Sequence, residues 1–291
     1  MKNTHPEGDP TMDGIQEDLE GRGITDTKRN NGWTSPVYSR SCQRIIDPKI
    51  LSENRCIGIF SELSETGFYK ILRTQIHQRM EAMGWKTIMV TSLRSREGKT
   101  LTAINLSLVF AKEYSRTVLL VDCNLKQQDI HAYLGIPSEQ GLADYLEAGR
   151  DLAELIIWPC IEKFTFISGG QPVENTTELM GSPRMKALVS ELKERYHDRY
   201  IVFDVPALLE GADALAFLPL VDGVIVVTQA GTTSKNDIVR GLSLIPQEKM
   251  LGFVLNKWQD FGLKQEKNGL GSMRAFIGKA RALVKKKDAS S

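Results

Sequence analysis

Long apolar runs are missing from this chain of 291 residues. No uninterrupted run approaches the roughly 20 apolar residues that a membrane-spanning helix needs. The polar N-terminus also lacks the apolar core of a signal peptide. The cysteines show neither a C-x-x-C pair nor another spacing typical of metal ligands; they are Cys42, Cys56, Cys123 and Cys160. We therefore expect a soluble, cytoplasmic protein whose thiols are reduced.

A strong charge of either sign is lacking as well. The chain has 37 Lys and Arg residues against 36 Asp and Glu residues, a formal net charge of +1. This balance gives no global electrostatic reason to expect a nucleic acid as partner. The sequence shows no nucleophile elbow or catalytic triad signature either. Its 41% hydrophobic and 25% charged residues are ordinary for a globular protein and exclude wholesale disorder.

The composition divides the chain into three parts. Residues 1–45 are polar, without apolar periodicity, and predict a flexible N-terminal arm. Residues 46–260 form the predicted main domain, which includes a preceding strand and helix over 55–84. Residues 261–291 form a basic C-terminal tail. Its stretch 274–287 predicts a helix, for which two interpretations stay open: a solvated terminal helix, or weak contact with an anionic membrane surface or a partner.

Short apolar runs alternate with segments of helical spacing from Lys86 onward. The apolar run Cys56–Phe60 before them predicts an added strand, and spacing over about 65–83 predicts an amphipathic helix. The later runs predict strands at Thr87–Thr91, Thr117–Val121, Phe164–Ile167, Tyr200–Phe203, Gly223–Val227 and Gly252–Leu255. Helices are predicted over 99–113, 183–196, 212–219 and 234–246. This alternation predicts a doubly wound α/β domain, with a mostly parallel sheet covered by helices on both faces.

A glycine-poor loop between a predicted strand and a predicted helix carries the first motif. Gly98, Lys99 and Thr100 match the end of the phosphate-loop pattern G-x-x-x-x-G-K-[ST], whereas Leu93 stands where its first glycine is expected. In this motif the lysine contacts the β- and γ-phosphates and the hydroxyl ligates Mg²⁺. The helix N-terminus adds its positive dipole end. The loop therefore predicts nucleotide binding.

Two aspartates occur in the same sequence context, directly after a predicted strand. Asp122 and Asp204 each follow four apolar residues of a predicted strand. Ligands bind at the carboxyl ends of such strands, where a carboxylate can hold Mg²⁺ or accept a proton from an attacking hydroxyl. A single Asp in this place could merely cap a turn, but the repetition after a phosphate loop favours a nucleotide site. For Asp213 and Asp222, a structural role is at least as well supported.

The ordered motifs from about Ile57 to Trp258 resemble those of the bacterial tyrosine kinase family, P-loop autokinases related to ParA/MinD-like ATPases. The matching segments are Tyr69–Thr74, Val90–Leu106, Val118–Lys126, Glu178–Ser182, Tyr200–Pro206, Asp213–Ala214, Val221–Gly223 and Val254–Asn256. The resemblance implies a P-loop NTPase fold with ATP and Mg²⁺ as cofactors. It also implies action in exopolysaccharide or capsule export with a membrane-bound chain-length or co-polymerase protein. Assembly into a homo-oligomeric ring is implied by the first segment.

The resemblance also assigns roles to individual residues. Lys99, Asp122 and Asp204 are the implied catalytic residues, and Thr100, Asp122 and Asp204 the implied metal ligands. The implied nucleotide contacts come from Glu97, Gly98, Lys99, Thr100, Leu101 and, near the adenine, Asn256.

Several positions depart from the family pattern. Ser95 and Arg96 replace a Pro-Gly pair, and Asn124 replaces the second carboxylate of the Asp-x-Asp motif. Gly67 and Lys70 replace an acidic residue and an arginine of the ring-forming motif. The family often ends in a tyrosine cluster, whereas no tyrosine follows Tyr200 here.

Three hypotheses stay open on these grounds. The leading one is an ATP-binding tyrosine autokinase, and the second is a catalytically degenerate regulatory subunit of the same machinery. The third is a ParA/MinD-like positioning ATPase. That class needs a lysine early in the loop, where this chain has Arg94.

Overall fold

The computed structural model describes residues 41–60, 64–113, 116–195 and 198–258. Its eight strands are β1 (Cys42–Gln43), β2 (Thr87–Ser92), β3 (Thr117–Asp122), β4 (Ile156–Trp158), β5 (Phe164–Ile167), β6 (Arg199–Asp204), β7 (Gly223–Gln229) and β8 (Met250–Asn256). They form one sheet in the order β1-β4-β5-β3-β6-β2-β7-β8. Each neighbouring pair is parallel except β4 and β5.

The described helices connect these strands. They are α1 (Pro48–Glu53), α2 (Ser64–Met83), α3 (Lys99–Ala111), α4 (Ile130–Leu134), α5 (Leu142–Ala148), α6 (Leu152–Leu155), α7 (Thr176–Met180), α8 (Pro183–Arg195), α9 (Asp213–Phe217) and α10 (Lys235–Leu244). Short 3₁₀ turns lie at Ile57–Ile59, Leu218–Leu220 and Gln247–Lys249. Among the described helices, none is both long enough and apolar enough to cross a bilayer.

The sheet has a core on each face because alternate strand residues point to opposite sides. Met89, Leu119 and Phe203 lie in one core together with residues of α8. Their neighbours Ile88 and Leu120 lie in the other, against α3. All of them are fully buried, and a side chain of this size contributes about 1.5 to 3 kcal/mol when it is removed from water. The doubly wound parallel fold is confirmed.

The added strand predicted at Cys56–Phe60 is wrong, because this segment forms the 3₁₀ turn at Ile57–Ile59. Gly58 lies directly on α3, where an added Cβ would be 2.6 Å from Cβ of Leu108 and 2.8 Å from the Asn105 carbonyl oxygen. Its N–H group donates to Oδ1 of Asn105 at 2.8 Å. A helix side chain, rather than a neighbouring strand, therefore satisfies this backbone.

Within the described residues, the other predicted elements are confirmed within a few residues, including the helix over 65–83, which is α2. The predicted helix 212–219 is shorter, since α9 ends at Phe217 and a 3₁₀ turn containing Pro219 follows. The boundaries of the three predicted parts of the chain stay a prediction. The tail 261–291 lies outside the described residues, as does most of the arm.

Asp222 has a structural role at the amino ends of the strands. Its carboxylate accepts hydrogen bonds from the N–H groups of Lys86 and Thr87, both at 3.0 Å, and from Oγ1 of Thr87 at 2.8 Å. Lys193 forms an ion pair with it. Burial acts to raise the pKa of Asp222, but the Lys193 ammonium and these hydrogen bonds hold it below its usual range.

Asp213 ties three segments together. It accepts hydrogen bonds from the hydroxyl groups of Thr176, at 2.8 Å, and Thr177. The Lys126 ammonium lies 3.9 Å from its carboxylate. These contacts join α9 to the start of α7 and to the loop after β3.

Candidate functional site

The predicted site residues meet where β2, β3 and β6 end. The phosphate loop follows β2 and leads into α3, which begins at Lys99. Asp122 and Asp204 are the last residues of β3 and β6, and they are direct partners in the parallel register of these strands. Both are fully buried. The parallel topology therefore brings the loop and the two carboxylates to one edge of the sheet.

The loop adopts left-handed backbone conformations at two positions. Arg96 has φ of 63° and Gly98 has φ of 96°. For Arg96 this conformation costs about 1 to 2 kcal/mol relative to glycine. Gly98 cannot be replaced without movement, because an added Cβ would lie 2.0 Å from Nδ2 of Asn256. The chain has thus kept glycine at the tighter of the two positions.

The Glu97 side chain holds the loop from inside. Its Oε2 accepts hydrogen bonds from the N–H groups of Leu93, at 2.8 Å, and Arg94, at 3.0 Å. Its Oε1 is bonded to the hydroxyl group of Thr233. Since Glu97 is only 3% exposed, its carboxylate acts within the loop and leaves the backbone to face a ligand.

Three consecutive N–H groups of the loop have no partner among the described residues: those of Arg96, Glu97 and Gly98. They lie at the N-terminus of α3, a helix of 13 residues whose dipole favours negative charge. Unpaired N–H groups at a helix N-terminus bind phosphate. This backbone therefore fits the nucleotide phosphates.

Lys99 and Thr100 lie beside Asp204. The Lys99 ammonium is 3.7 Å from Oδ1 of Asp204 and donates to the Thr100 hydroxyl at 3.2 Å. Neither carboxylate oxygen of Asp204 accepts a geometrically defined hydrogen bond within the described part of the chain. Burial raises the pKa of Asp204, and the Lys99 charge opposes this shift. An unbonded, buried carboxylate beside a lysine and a hydroxyl fits a site for Mg²⁺.

Backbone N–H groups hold the carboxylate of Asp122 in place. It accepts hydrogen bonds from the N–H groups of Asn124, at 3.1 Å, and Ile130, at 3.3 Å. Burial, followed by the charge of Asp204, raises the pKa of Asp122 to about 8. A carboxylate whose pKa is raised towards neutral pH by burial and a neighbouring charge can serve as a general base.

Asn124, which stands where the Asp-x-Asp motif has its second carboxylate, is also buried, with 9% of its surface exposed. Across the described ranges, no three His, Cys, Asp or Glu side chains form a group that could hold a metal ion. The residues that fit Mg²⁺ here are Thr100 and Asp204, with Asp122 opposite. Oxygen ligands from a bound nucleotide would have to complete such a site.

The two remaining predicted nucleotide contacts differ in what they touch. Nδ2 of Asn256 donates to the Glu97 carbonyl oxygen at 2.9 Å, so this amide fixes the loop from the end of β8. Leu101 is half-buried and packs against the core on the α3 side. The next residue, Lys257, donates to the Arg96 carbonyl oxygen at 2.7 Å.

Sequence reasoning missed two sets of residues that hold the loop. Glu210 accepts hydrogen bonds from the N–H group of Ser95, at 2.9 Å, and from its hydroxyl group. Thr233, Asp237 and Gly241, on or just before α10, contact the loop from the other side. The spacing of four residues between Thr233, Asp237 and Gly241 is the sequence signal that indicates a shared side of the helix.

Two arginines are engaged within the chain. Arg94 forms an ion pair of 2.9 Å with Asp237, which directs it towards α10. In the eroded ring motif, Arg73 donates to the Val109 carbonyl oxygen at 3.2 Å and lies 3.3 Å from the Glu113 carboxylate. Arg73 therefore fastens α2 to the end of α3.

Known proteins with similar sequences and structures exist. No family model matches the chain. It is 28% identical over 190 residues to the tyrosine-protein kinase YwqD of Bacillus subtilis, covering 65% of this chain and 79% of that protein. It is also 28% identical over 200 residues to the tyrosine-protein kinase wzc of Salmonella typhi. That match covers 66% of this chain but only 27% of the much longer relative.

Solved structures show the same fold. The kinase domain of the Escherichia coli tyrosine kinase ETK superposes with a TM-score of 0.66 at 21% identity, covering 79% of this chain and 94% of that domain. MinD of Pyrococcus horikoshii, complexed with Mg-ADP, gives a TM-score of 0.51 at 23% identity, covering 62% and 74%. The chain is therefore similar in sequence to bacterial tyrosine-protein kinases, and it shares the fold of their kinase domains and of MinD.

Proposed function

We propose that this chain binds ATP with Mg²⁺ and acts as a protein-tyrosine autokinase in exopolysaccharide or capsule export. One observation carries the proposal. The ammonium group of Lys99 lies 3.7 Å from the unbonded, fully buried carboxylate of Asp204, beside the three free N–H groups of the loop. A buried carboxylate of this kind costs several kcal/mol in stability, a cost that a structural role alone does not explain.

The chain's own groups divide the work of phosphoryl transfer. The free N–H groups and Lys99 bind and orient the phosphates. Thr100 and Asp204 would hold Mg²⁺, which, when bound, neutralises charge on the phosphates. Asp122 would accept the proton as a tyrosine hydroxyl attacks the γ-phosphorus and ADP leaves. Such catalysis relies on positioning and charge, so that loss of one carboxylate at Asn124 lowers the rate more than it lowers binding.

The partner that we propose is a membrane-bound chain-length or co-polymerase protein. The identity to YwqD and wzc supports a place in this machinery. Through such a partner the protein would act at the inner face of the plasma membrane. Contact of the tail helix 274–287 with the membrane surface stays a prediction, since this segment lies outside the described residues.

Purified full-length protein tests the proposal. ATP binding and phosphotyrosine formation are measured with and without the cytoplasmic segment of the membrane partner, for the wild type and for Lys99→Ala. We expect phosphotyrosine in the wild type and none in the variant. Absence of ATP binding by the wild type under every condition would refute the proposal.

Asn124 favours a second candidate, a regulatory subunit that binds ATP without turning it over. An amide can donate and accept hydrogen bonds, but it neither neutralises Mg²⁺ nor acts as a base. In that case ATP binds with no phosphotyrosine and no hydrolysis. Asn124→Asp would then restore measurable turnover, whereas the autokinase proposal expects turnover without this change.

A further inference from the structure

One face of α10 runs along the phosphate loop. Thr233 precedes the helix, and Asp237 and Gly241 follow at intervals of four residues, so that all three share a side. Their contacts on the loop run in reverse order: Thr233 meets Glu97, Asp237 meets Arg94, and Gly241 meets Leu93. We call this set of three the α10 face.

Gly241 leaves the space that Leu93 fills. A Cβ added at Gly241 would lie 2.1 Å from Cδ2 of Leu93, a distance that real structures do not tolerate. Leu93 is fully buried, so its side chain has little free space into which to move. Leu93 occupies the position where the phosphate-loop pattern has its first glycine. The missing loop glycine is thus matched by a glycine in the helix.

Polar contacts fix the rest of the α10 face. The Arg94 guanidinium reaches both carboxylate oxygens of Asp237, with distances of 2.9 and 3.4 Å. Asp237 is itself held at the start of the helix, where its N–H group donates to the Ser234 hydroxyl at 3.0 Å. Thr233 is bonded to Glu97, whose other oxygen holds the N–H groups of Leu93 and Arg94.

We propose that the α10 face positions the phosphate loop, and that Gly241 is a positioning residue for nucleotide binding although it touches no phosphate. The inference rests on the proposed function only in taking ATP as the ligand. Leu93 transmits the position of α10 to the loop, because its N–H group is bonded to Glu97 and its carbonyl oxygen accepts from Leu209. A shift of Leu93 therefore moves the free N–H groups that follow it.

Gly241→Ala in the full-length protein tests the inference with two measurements. The first is hydrogen exchange of the Leu93 and Arg94 amides without nucleotide, and the second is the Kd for ATP with Mg²⁺. We expect exchange to accelerate about tenfold or more, because the bonds to Glu97 open more often. We expect the Kd for ATP to rise by about tenfold, because the cradle is no longer preorganised.

Two further variants separate positioning from general damage. Leu93→Ala in the Gly241→Ala background removes the colliding methyl groups, and we expect it to return both readouts most of the way to the wild type. Gly67→Ala is the matched control, since Gly67 lies in α2 and an added Cβ there meets nothing within 4 Å. It should change neither readout.

The outcomes are decisive in either direction. Wild-type exchange and wild-type affinity in Gly241→Ala would overturn the inference, as would a defect that Leu93→Ala leaves unrepaired. If Gly241→Ala does not fold, Asp237→Asn takes its place, and unchanged exchange at Arg94 in that variant counts against the α10 face. If the wild type binds no ATP, the proposed function fails, while the exchange measurement still decides the inference.

Discussion

The two carboxylates at the site differ in how the chain satisfies them. Asp122 accepts two backbone hydrogen bonds, whereas the oxygens of Asp204 accept none within the described residues, and the Lys99 ammonium lies 3.7 Å away. Both are fully buried and next to each other. At the scale of single residues, the site is therefore a region where function and stability oppose each other.

We predict that Asp204→Asn stabilises the protein while abolishing any phosphoryl transfer. Removing the buried, unbonded carboxylate of Asp204 should raise the free energy of unfolding by about 1 to 3 kcal/mol at pH 7. Urea denaturation measures the change. Asp122→Asn is the matched comparison. The free energy of unfolding should rise less in Asp122→Asn, because an amide oxygen cannot keep both backbone hydrogen bonds as well as the carboxylate does. A loss of stability in Asp204→Asn would contradict the prediction.

Asp222 should make stability depend on pH in the acidic range. The pKa of Asp222 in the folded protein is lowered. The contribution of Asp222 to the free energy of unfolding is therefore complete above the unfolded pKa of about 3.9, and it is lost as the pH falls through the folded pKa. Asp222→Asn should cost about 1 to 3 kcal/mol at pH 7, and the difference from the wild type should shrink as the pH falls below about 4.

Urea denaturation at pH 7 and pH 3 checks this expectation. Glu139→Gln, which changes an exposed carboxylate, is the control and should have little effect at either pH. A difference between the wild type and Asp222→Asn that stays constant down to pH 3 would contradict the assignment.

Two glycines show at the scale of elements how local geometry decides a substitution. Gly67 lies in α2 with open space around it, and Gly58 lies in the 3₁₀ turn against α3. Gly67→Ala should stabilise the protein by about 0.5 to 1 kcal/mol through helix propensity. Gly58→Ala should destabilise it by about 1 to 3 kcal/mol, because the added methyl group meets atoms of α3 that cannot move easily. Urea denaturation of the two variants measures both; effects of the same sign would count against this account.

The long periodic elements and the buried strands could be predicted from the sequence because their patterns are fixed by burial. β2, β3 and β6 are buried at every position, so each appears as an apolar run. The turn at Ile57–Ile59 could not be distinguished from a strand, since its apolar residues pack against α3, which lies far along the chain. Strands as short as β1 and β4 contain too few residues for a period to appear.

The location of the main residues of the candidate site could also be predicted from the sequence. Lys99, Thr100, Asp122 and Asp204 follow strands, and parallel topology brings strand ends together. Whether they carry out the roles proposed for them stays a prediction. The α10 face and Glu210 act through contacts between distant segments. The spacing of four residues shows that the α10 residues share one side of the helix, but it does not show which segment that side contacts.

At the scale of the whole molecule, Tyr200 lies far from the candidate site. It is the second residue of β6, whose other end carries Asp204, so about 13 Å of strand separates the two residues. Tyr200 is fully buried, and its hydroxyl group donates to Glu81 at 2.7 Å and lies 2.8 Å from Nδ1 of His77. Burial, followed by the bond to Glu81, raises the pKa of Tyr200.

We therefore predict that Tyr200 is not the phosphorylated residue. Tyr200→Phe should leave the amount of phosphotyrosine unchanged while lowering the free energy of unfolding by about 1 kcal/mol, since it removes a buried hydroxyl from its partners. Mass spectrometry of the phosphorylated protein and urea denaturation measure the two effects. Tyr133→Phe, at a half-buried tyrosine, is the comparison. Loss of phosphotyrosine in Tyr200→Phe alone would contradict the prediction.

The fit between Leu93 and Gly241 also has a consequence for how such chains can diverge. Only glycine leaves room at position 241 while leucine stands at 93, so position 241 is not free to vary as long as the loop keeps its leucine. A relative with glycine at the loop position is released from this constraint and can carry any helix-forming residue in the helix. We therefore expect substitutions at positions 93 and 241 to occur together. A chain in which only position 241 has changed should function less well.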